Sequence, residues 1–154
     1  MPPVRSSGVL LYRRPGGRVG VLLGHMGGPF WAKKDDGAWS IPKGEHAPDE
    51  DGEAAARREF AEEVGSPVPA ARLDPLGEVK GRKLLAVWAG EGDLDADAVT
   101  SNTFALEWPP RSGRLQSFPE LDRAGWFDVA TARRKAFGSQ APFFDRLLEA
   151  LGRS

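Results

Sequence analysis

A chain of 154 residues, 40% hydrophobic and 28% charged, is long enough to bury a real core and falls outside the disordered and membrane classes. Its formal net charge of -1 supplies no overall field for nucleic acid or an anionic membrane, so a polyanion must be met by local cations or metal. The absence of cysteine excludes disulfide staples, thiolate metal sites and a thiol nucleophile.

The opening Met1-Pro2-Pro3-Val4-Arg5-Ser6-Ser7 has no apolar core of signal-peptide length, and no run approaches a membrane span, so a cytoplasmic protein is expected. No internal repeat or low-complexity linker divides the chain, and residues 1–154 are expected to form one domain. Residues 7–12 read as a strand ended by the turn signal Arg13-Arg14-Pro15-Gly16-Gly17, with residues 19–24 as its hairpin partner. Residues 27–37 read as a loop carrying Phe30, Trp31, Lys33 and Lys34; a brief strand at 39–41 then precedes Pro42-Lys43-Gly44. Asp51 is the expected N-cap of a helix favoured by Ala54, Ala55 and Ala56, with Gly65 as its left-handed end. Further strands are expected at 76–79, 84–88 and 104–108, and one ending at Trp126-Phe127. Apolar spacing over about 130–151 predicts a closing helical region, broken near 138–142. Strands mixed with two helical regions imply an α/β layered domain.

Glu59, Glu62 and Glu63 stand at i, i+3 and i+4 of the first helix and share one face. Like charges at that spacing repel, whereas hard divalent cations such as Mg²⁺ or Mn²⁺ turn the repulsion into attraction. Arg58 lies beside them, one turn from Glu62, and Glu50 precedes the helix where it can fold back towards Arg58. Taken alone, such a triplet is more often a solvated acidic face. The wider spacing changes the balance: Gly44, five residues, Glu50, seven residues, Arg58-Glu59-Phe60, one residue, Glu62-Glu63, one residue, Gly65. Even without Phe60, the seven other specified residues at these offsets arise by chance on the order of once in tens of millions of starting points.

The stretch from Gly44 to Ser66 resembles the Nudix box at every fixed position but the last, where the family usually has an aliphatic residue and this chain has Ser66. That departure is expected to loosen packing at the helix exit without removing a ligand. Trp39-Ser40-Ile41-Pro42-Lys43-Gly44 is similar to the strand and loop that lead into the box in many Nudix enzymes. Glu120, six residues before Trp126, resembles the family's later loop, whose glutamate often completes the metal or base site. The resemblance covers about residues 7–151.

That resemblance implies an α/β/α sandwich with a mixed central β-sheet, and a Mg²⁺-dependent hydrolase of phosphoanhydride bonds in nucleoside diphosphate-linked compounds. Glu59, Glu62 and Glu63, with a main-chain carbonyl near Lys43 or Gly44, would hold Mg²⁺ or Mn²⁺. Arg58 and Glu50 would be the orienting pair, and Glu59 or Glu120 the group that takes a proton from the attacking water. Pro42-Lys43-Gly44-Glu45 is similar to the Pro-Lys-Gly-His stretch of diadenosine polyphosphate and diphosphoinositol hydrolases, so dinucleoside polyphosphates come first and nucleoside triphosphates second. The tyrosine that often follows the box in the former is missing, since Tyr12 is the only tyrosine. A Nudix-fold isomerase of isopentenyl diphosphate is associated with an active-site cysteine, which this chain lacks. A non-catalytic ligand-sensing Nudix-like module is the other rival, and such modules tend to lose the carboxylates kept here.

Other residues keep two readings each. Lys43, Lys33 and Lys34 contact substrate phosphate or face solvent, and Phe30, Trp31 and Trp39 stack on a nucleobase or pack in the core. Glu120 is a site residue or a plainly exposed loop acid, with Glu107 a weaker competitor for its place. Arg111 and Arg114 meet an anionic substrate or merely decorate a basic loop. His25 and His46 are not at a metal-binding spacing and receive no role. The expected partner is a small nucleotide-like diphosphate, with neither nucleic acid nor membrane expected.

Overall fold

The apolar run near the start of the sequence becomes the central strand of a mixed sheet. In the computed structural model, which describes residues 4–152, β1 (Val4–Arg13) is buried from Ser6 to Tyr12. Met1, Pro2 and Pro3, the head of the segment read for a signal peptide, lie outside the described residues, as do Arg153 and Ser154. Leu10 and Tyr12 enter one core and Val9 and Leu11 the other, the alternation that a strand covered on both faces requires. A turn over Pro15–Gly17 leads to β2 (Gly20–Met26), which pairs antiparallel to β1 at Tyr12↔Val21 and Arg13↔Gly20.

Beyond those pairs β1 and β2 diverge. β3 (Trp39–Ser40) pairs with the far end of β2 at Gly24↔Ser40, whereas β4 (Lys43–His46) pairs with the first half of β1, from Gly8↔Lys43 to Arg5↔His46. Ile41 and Pro42 cross between the two, and Val9 N donates to Pro42 O at 3.1 Å. The sheet therefore opens into two wings. Helix α1 (Gly52–Val64) follows β4 and lies against it. β5 (Asp74–Lys80) and β6 (Lys83–Glu91) then complete the wing of β1, with β6 parallel to β1 and antiparallel to β5. β7 (Thr103–Glu107) and β8 (Leu115–Pro119) form a separate two-stranded hairpin, and β9 (Leu121–Asp128) pairs antiparallel with β2 to complete the other wing.

Helices cover both faces. Asp51 caps α1 by accepting from Ala54 N at 3.0 Å, and Gly65 ends it with a left-handed φ of 90°. Ala56, Phe60 and Val64 pack on Val9, Leu11 and Leu22. On the opposite face, α2 (Val129–Lys135) and α3 (Ala141–Gly152) set Val129, Ala132, Phe143, Phe144 and Leu147 against Leu10, Val21 and Leu23. The expected α/β/α sandwich with a mixed sheet is what forms.

Two segments differ from expectation. Residues 43–46 were not read as strand and form one, because the divergence of β2 leaves that edge of β1 needing a partner. Residues 115–119, given no element, pair along β7 as a strand. Ser66 does not leave the helix exit loose: Thr100 N donates to Val64 O at 3.0 Å and Asn102 N to Glu62 O at 2.9 Å. Among the described residues no helix is long and apolar enough to cross a membrane.

Phe60 is fully buried between α1 and the sheet. Phe60→Ala is expected to lower unfolding stability by about 3–5 kcal/mol, measured from the shift in urea midpoint; a loss under about 1 kcal/mol would contradict this packing.

Candidate active site

The acidic face of α1 lies over β4, and glycine at position 44 lets it settle there. A Cβ added to Gly44 would sit 1.9 Å from Glu59 Oε2, so any side chain would displace that carboxylate. Asp51 and Gly65 fix the two ends of the helix and Phe60 fixes its rotation. Glu59, Glu62 and Glu63 are carried to one flank as a consequence. Arg58 clamps the group. Its Nε and Nη2 donate to the two oxygens of Glu50 at 3.1 and 3.0 Å, and its Nη1 donates to Glu59 Oε1 at 3.0 Å and Glu62 Oε1 at 3.3 Å. Glu50 thus folds back onto Arg58, and the hydrogen-bonded guanidinium holds its carboxyl below the usual range.

Glu63 lacks such help. Burial lifts its carboxyl to about 8, with Glu120, Glu59 and Glu62 adding repulsion and Lys43 opposing it. Burial and then Glu62 also raise Glu59, against the pull of Arg58. Lys43 is half-buried; burial and the charge of Lys83 lower its pKa, while Glu63, Glu45 and Glu59 favour its charged form.

Lys43 lines a cavity of about 330 Å³ with Ser6, Val79, Leu85, Phe137 and Gln140, on the wing of β1, β5 and β6. Ser6 Oγ is buried there and has no hydrogen-bond partner among the described residues. Glu120 reaches the acidic helix through a backbone chain: Asn102 N donates to Glu62 O, and Glu120 N donates to Asn102 O, both at 2.9 Å. Glu120 lines a second cavity of about 420 Å³ with Phe30, Trp31, Phe104 and Leu106. Glu107 is occupied elsewhere, accepting from Gly113 N at 3.0 Å across the tip of the β7–β8 hairpin.

The remaining expected residues are divided. Trp31 lines the second cavity, but Lys33 is exposed and lines neither; its neighbour Lys34 instead sets Nζ 3.8 Å from the centre of the Phe30 ring. Trp39 packs in the core with Nε1 donating to Asp35 Oδ1 at 2.9 Å. Arg111 and Arg114 are exposed at the hairpin tip. His25, given no role, is fully buried, with Nδ1 2.8 Å from Asp122 Oδ1 and Nε2 2.6 Å from Lys34 O. It ties the aromatic loop to β9, and no spacing in the sequence announces partners so far apart. His46 accepts from the Ser7 hydroxyl at 2.7 Å and donates from Nδ1 to Ala47 O at 2.9 Å.

Among the described residues no three acidic or imidazole groups close to metal-ligand geometry. The donor set nevertheless fits a hard divalent ion: several carboxylates share one flank, and Glu59 rests on the strand at Gly44, where a Cβ would fill the cradle.

A family model for the NUDIX domain matches residues 2–147. The chain is 27% identical over 171 residues to the RNA pyrophosphohydrolase of Gluconacetobacter diazotrophicus, covering 99% of this chain and 93% of that protein. Among solved structures, the C. elegans Ap4A hydrolase binary complex superposes with a TM-score of 0.66 at 19% identity, covering 98% of this chain and 99% of the other. The NUDIX domain of Shewanella oneidensis NrtR complexed with ADP ribose gives a TM-score of 0.62 at 15% identity, covering 98% and 90%. At these identities the structural likeness is one of fold.

Glu63 gives the metal-free protein a pH signature. Below the ordinary glutamate value of 4.5, folded and unfolded chains both hold the proton; between 4.5 and about 8 only the folded chain does, so stability drains away as pH rises through that window. In EDTA, Glu63→Gln is expected to match the parent below pH 4.5 and to exceed it above about pH 8. The gain is about 1–3 kcal/mol from urea midpoints, less than the full shift because solvent reaches part of the group. A pH-independent difference would refute this environment for Glu63.

Proposed function

The chain belongs to the NUDIX domain family, and from that membership we propose that it is a Mg²⁺-dependent pyrophosphohydrolase. Its substrate is a nucleoside diphosphate-linked compound, a dinucleoside polyphosphate or a nucleoside triphosphate. The observation that carries this reading is the carboxylate flank of α1 seated on Gly44, with Glu120 brought alongside. The relatives named RNA pyrophosphohydrolase and Ap4A hydrolase support it.

Nudix hydrolases generally use divalent metal ions. Glu59, Glu62 and Glu63, with the Gly44 carbonyl, would hold Mg²⁺ or Mn²⁺. When bound, the ion neutralises phosphate charge and acidifies water. The other residues supply positioning and proton transfer. Arg58 and Glu50 fix the carboxylates in place, so that little reorganisation is left for the reaction itself. Glu59 is engaged by Arg58 and lies against the strand, which suits a ligand better than a mobile base. Glu120 has no cationic partner among the described residues, adjoins Glu63 and is therefore assigned as the acceptor of the water proton. Lys43 reaches from the first cavity towards the carboxylates and offsets phosphate charge there. The apolar walls of that cavity and the unpartnered Ser6 hydroxyl suit a nucleoside.

The test is phosphate or nucleotide release from a panel of nucleoside triphosphates and dinucleoside polyphosphates, resolved by product, with and without Mg²⁺. Glu62→Gln and Glu63→Gln are each expected to lower kcat/KM by more than about 100-fold while far-ultraviolet circular dichroism is unchanged. Nucleotide binding without turnover in the parent protein would overturn the reading in favour of a ligand-sensing module.

A further inference from the structure

β9 holds a steady antiparallel register with β2 from Gly20↔Asp128 to His25↔Arg123 and then slips, so that Met26 faces Leu121. Asp122 is the extra residue, a β-bulge two positions after Glu120. In unbroken register Met26 would face Asp122, and Gly27 would face Leu121. The slip brings Gly27 opposite Glu120 instead, and Gly27 N donates to Glu120 O at 2.9 Å. Successive residues of a strand point to opposite faces, so a shift of one residue reverses the side chains at 120 and 121 relative to β2. Leu121 is thereby laid over Gly24, where an added Cβ would stand 2.3 Å from its Cδ1, and it is buried there.

The side chains at the bulge supply what holds it. Asp122 and Arg123 are neighbours, yet both reach the face of His25 and Trp39. Asp122 Oδ1 is 2.8 Å from His25 Nδ1; the Arg123 guanidinium lies 5.1 Å from the centre of the Trp39 ring and 3.6 Å from Asp122 Oδ1. His25 is fully buried, and its Nε2 is 2.6 Å from Lys34 O. A carboxylate and a main-chain carbonyl are both acceptors, so the ring donates from both nitrogens, once to the bulge and once to the aromatic loop. Resting on the pyrophosphohydrolase reading, we propose that His25 and Asp122 are positioning residues for Glu120: by pinning the bulge they fix the register that aims its carboxylate at the attacking water. Glu120 depends on such a device. Its carboxylate has no cationic partner among the described residues, and its restraints are main-chain bonds, from Glu120 N to Asn102 O and from Gly27 N to Glu120 O. A ladder that slipped back by one residue would break the second of these and turn the carboxylate away.

The test is a double-mutant cycle in Mg²⁺, on whichever nucleotide of the panel above the parent hydrolyses fastest. Asp122→Ala and Asp122→Asn are each made in the parent and in Glu120→Gln. Asp122→Ala is expected to lower kcat at least about tenfold with KM changed less than about threefold, and to speed hydrogen exchange at the Gly27 amide. Asp122→Asn is expected to recover most of the lost kcat, because its amide donates to Nδ1 of a neutral ring whose Nε2–H still meets Lys34 O. In the Glu120→Gln background Asp122→Ala is expected to change kcat less than about twofold, since the group it positions is already gone. The Asp122 side chain is partly exposed, so its truncation opens no core cavity; Asp122→Ser, too short to reach the ring, takes its place if the alanine variant loses its far-ultraviolet circular dichroism. Equal losses in the two backgrounds, or an asparagine variant as slow as the alanine one, would overturn the proposal and leave the pyrophosphohydrolase reading standing. Parental kcat in Glu120→Gln would overturn it together with the role of Glu120, and a parent that hydrolyses nothing in the panel would remove both readings.

Discussion

The rest of the molecule is arranged around one electrostatic problem: several carboxylates on a single flank of α1, with too little positive charge to balance them. Arg58 serves Glu50, Glu59 and Glu62 at once, and Lys43 answers Glu63 and Glu59 from the other side. Glu63 remains the least compensated and holds its proton up to about pH 8. A like-charged pair a few ångströms apart costs on the order of several kcal/mol in a protein interior, against a total folding stability of about 5–15 kcal/mol. Such a cluster persists only on a support that cannot yield. That support is the apolar stripe of Ala56, Phe60 and Val64, closed at one end by the Asp51 cap and at the other by Gly65 and the bonds from Thr100 and Asn102.

The split sheet supplies the other half of the support. Because β1 and β2 separate after two register pairs, a crossing segment has to satisfy the exposed edges of both. Residues 39–46 do this, and the far layer locks them. Gln140 accepts from Ile41 N and donates to Ser40 Oγ, both at 3.0 Å, so the crossing is fixed from the α3 side. Gly44 is held against α1 by the same segment that puts Lys43 in the first cavity. The place of Lys43 in the first cavity and the seat of Glu59 on Gly44 are thus products of a single topological event.

What was legible in the residues follows from this. The helix, its two caps and the shared face of Glu59, Glu62 and Glu63 depend on spacing within one element, and spacing is written in the chain. The strand at 43–46 was not legible, because Lys-Gly-Glu-His has no apolar alternation; its pairing is imposed by the open edge of β1. The strand at 115–119 is mostly exposed on its hairpin and likewise left no periodic mark. Lys33 and Lys34 are adjacent and chemically alike, and only the path of the loop decides which lies on Phe30. His25 stood in an apolar run without a visible partner; its partner Asp122 lies 97 residues away and meets it only when β2 and β9 pair.

The unbalanced charge also bears on whether the chain works as an enzyme or as a ligand sensor. A sensor needs a shaped cavity and a few polar contacts, and the two cavities supply those without Glu62 or Glu63, which line neither. For such a role the carboxylate flank is a destabilising burden with no return, and substitutions that relieve it raise stability. Retaining the flank intact makes physical sense where cations bind there and the stored repulsion becomes affinity for them. Glu120 sharpens the point. It adds a further negative charge beside the worst-compensated member of the group, which weakens a resting protein and finds its return in the proposed role of proton acceptor. A chain selected only to hold a nucleotide would gain by losing it.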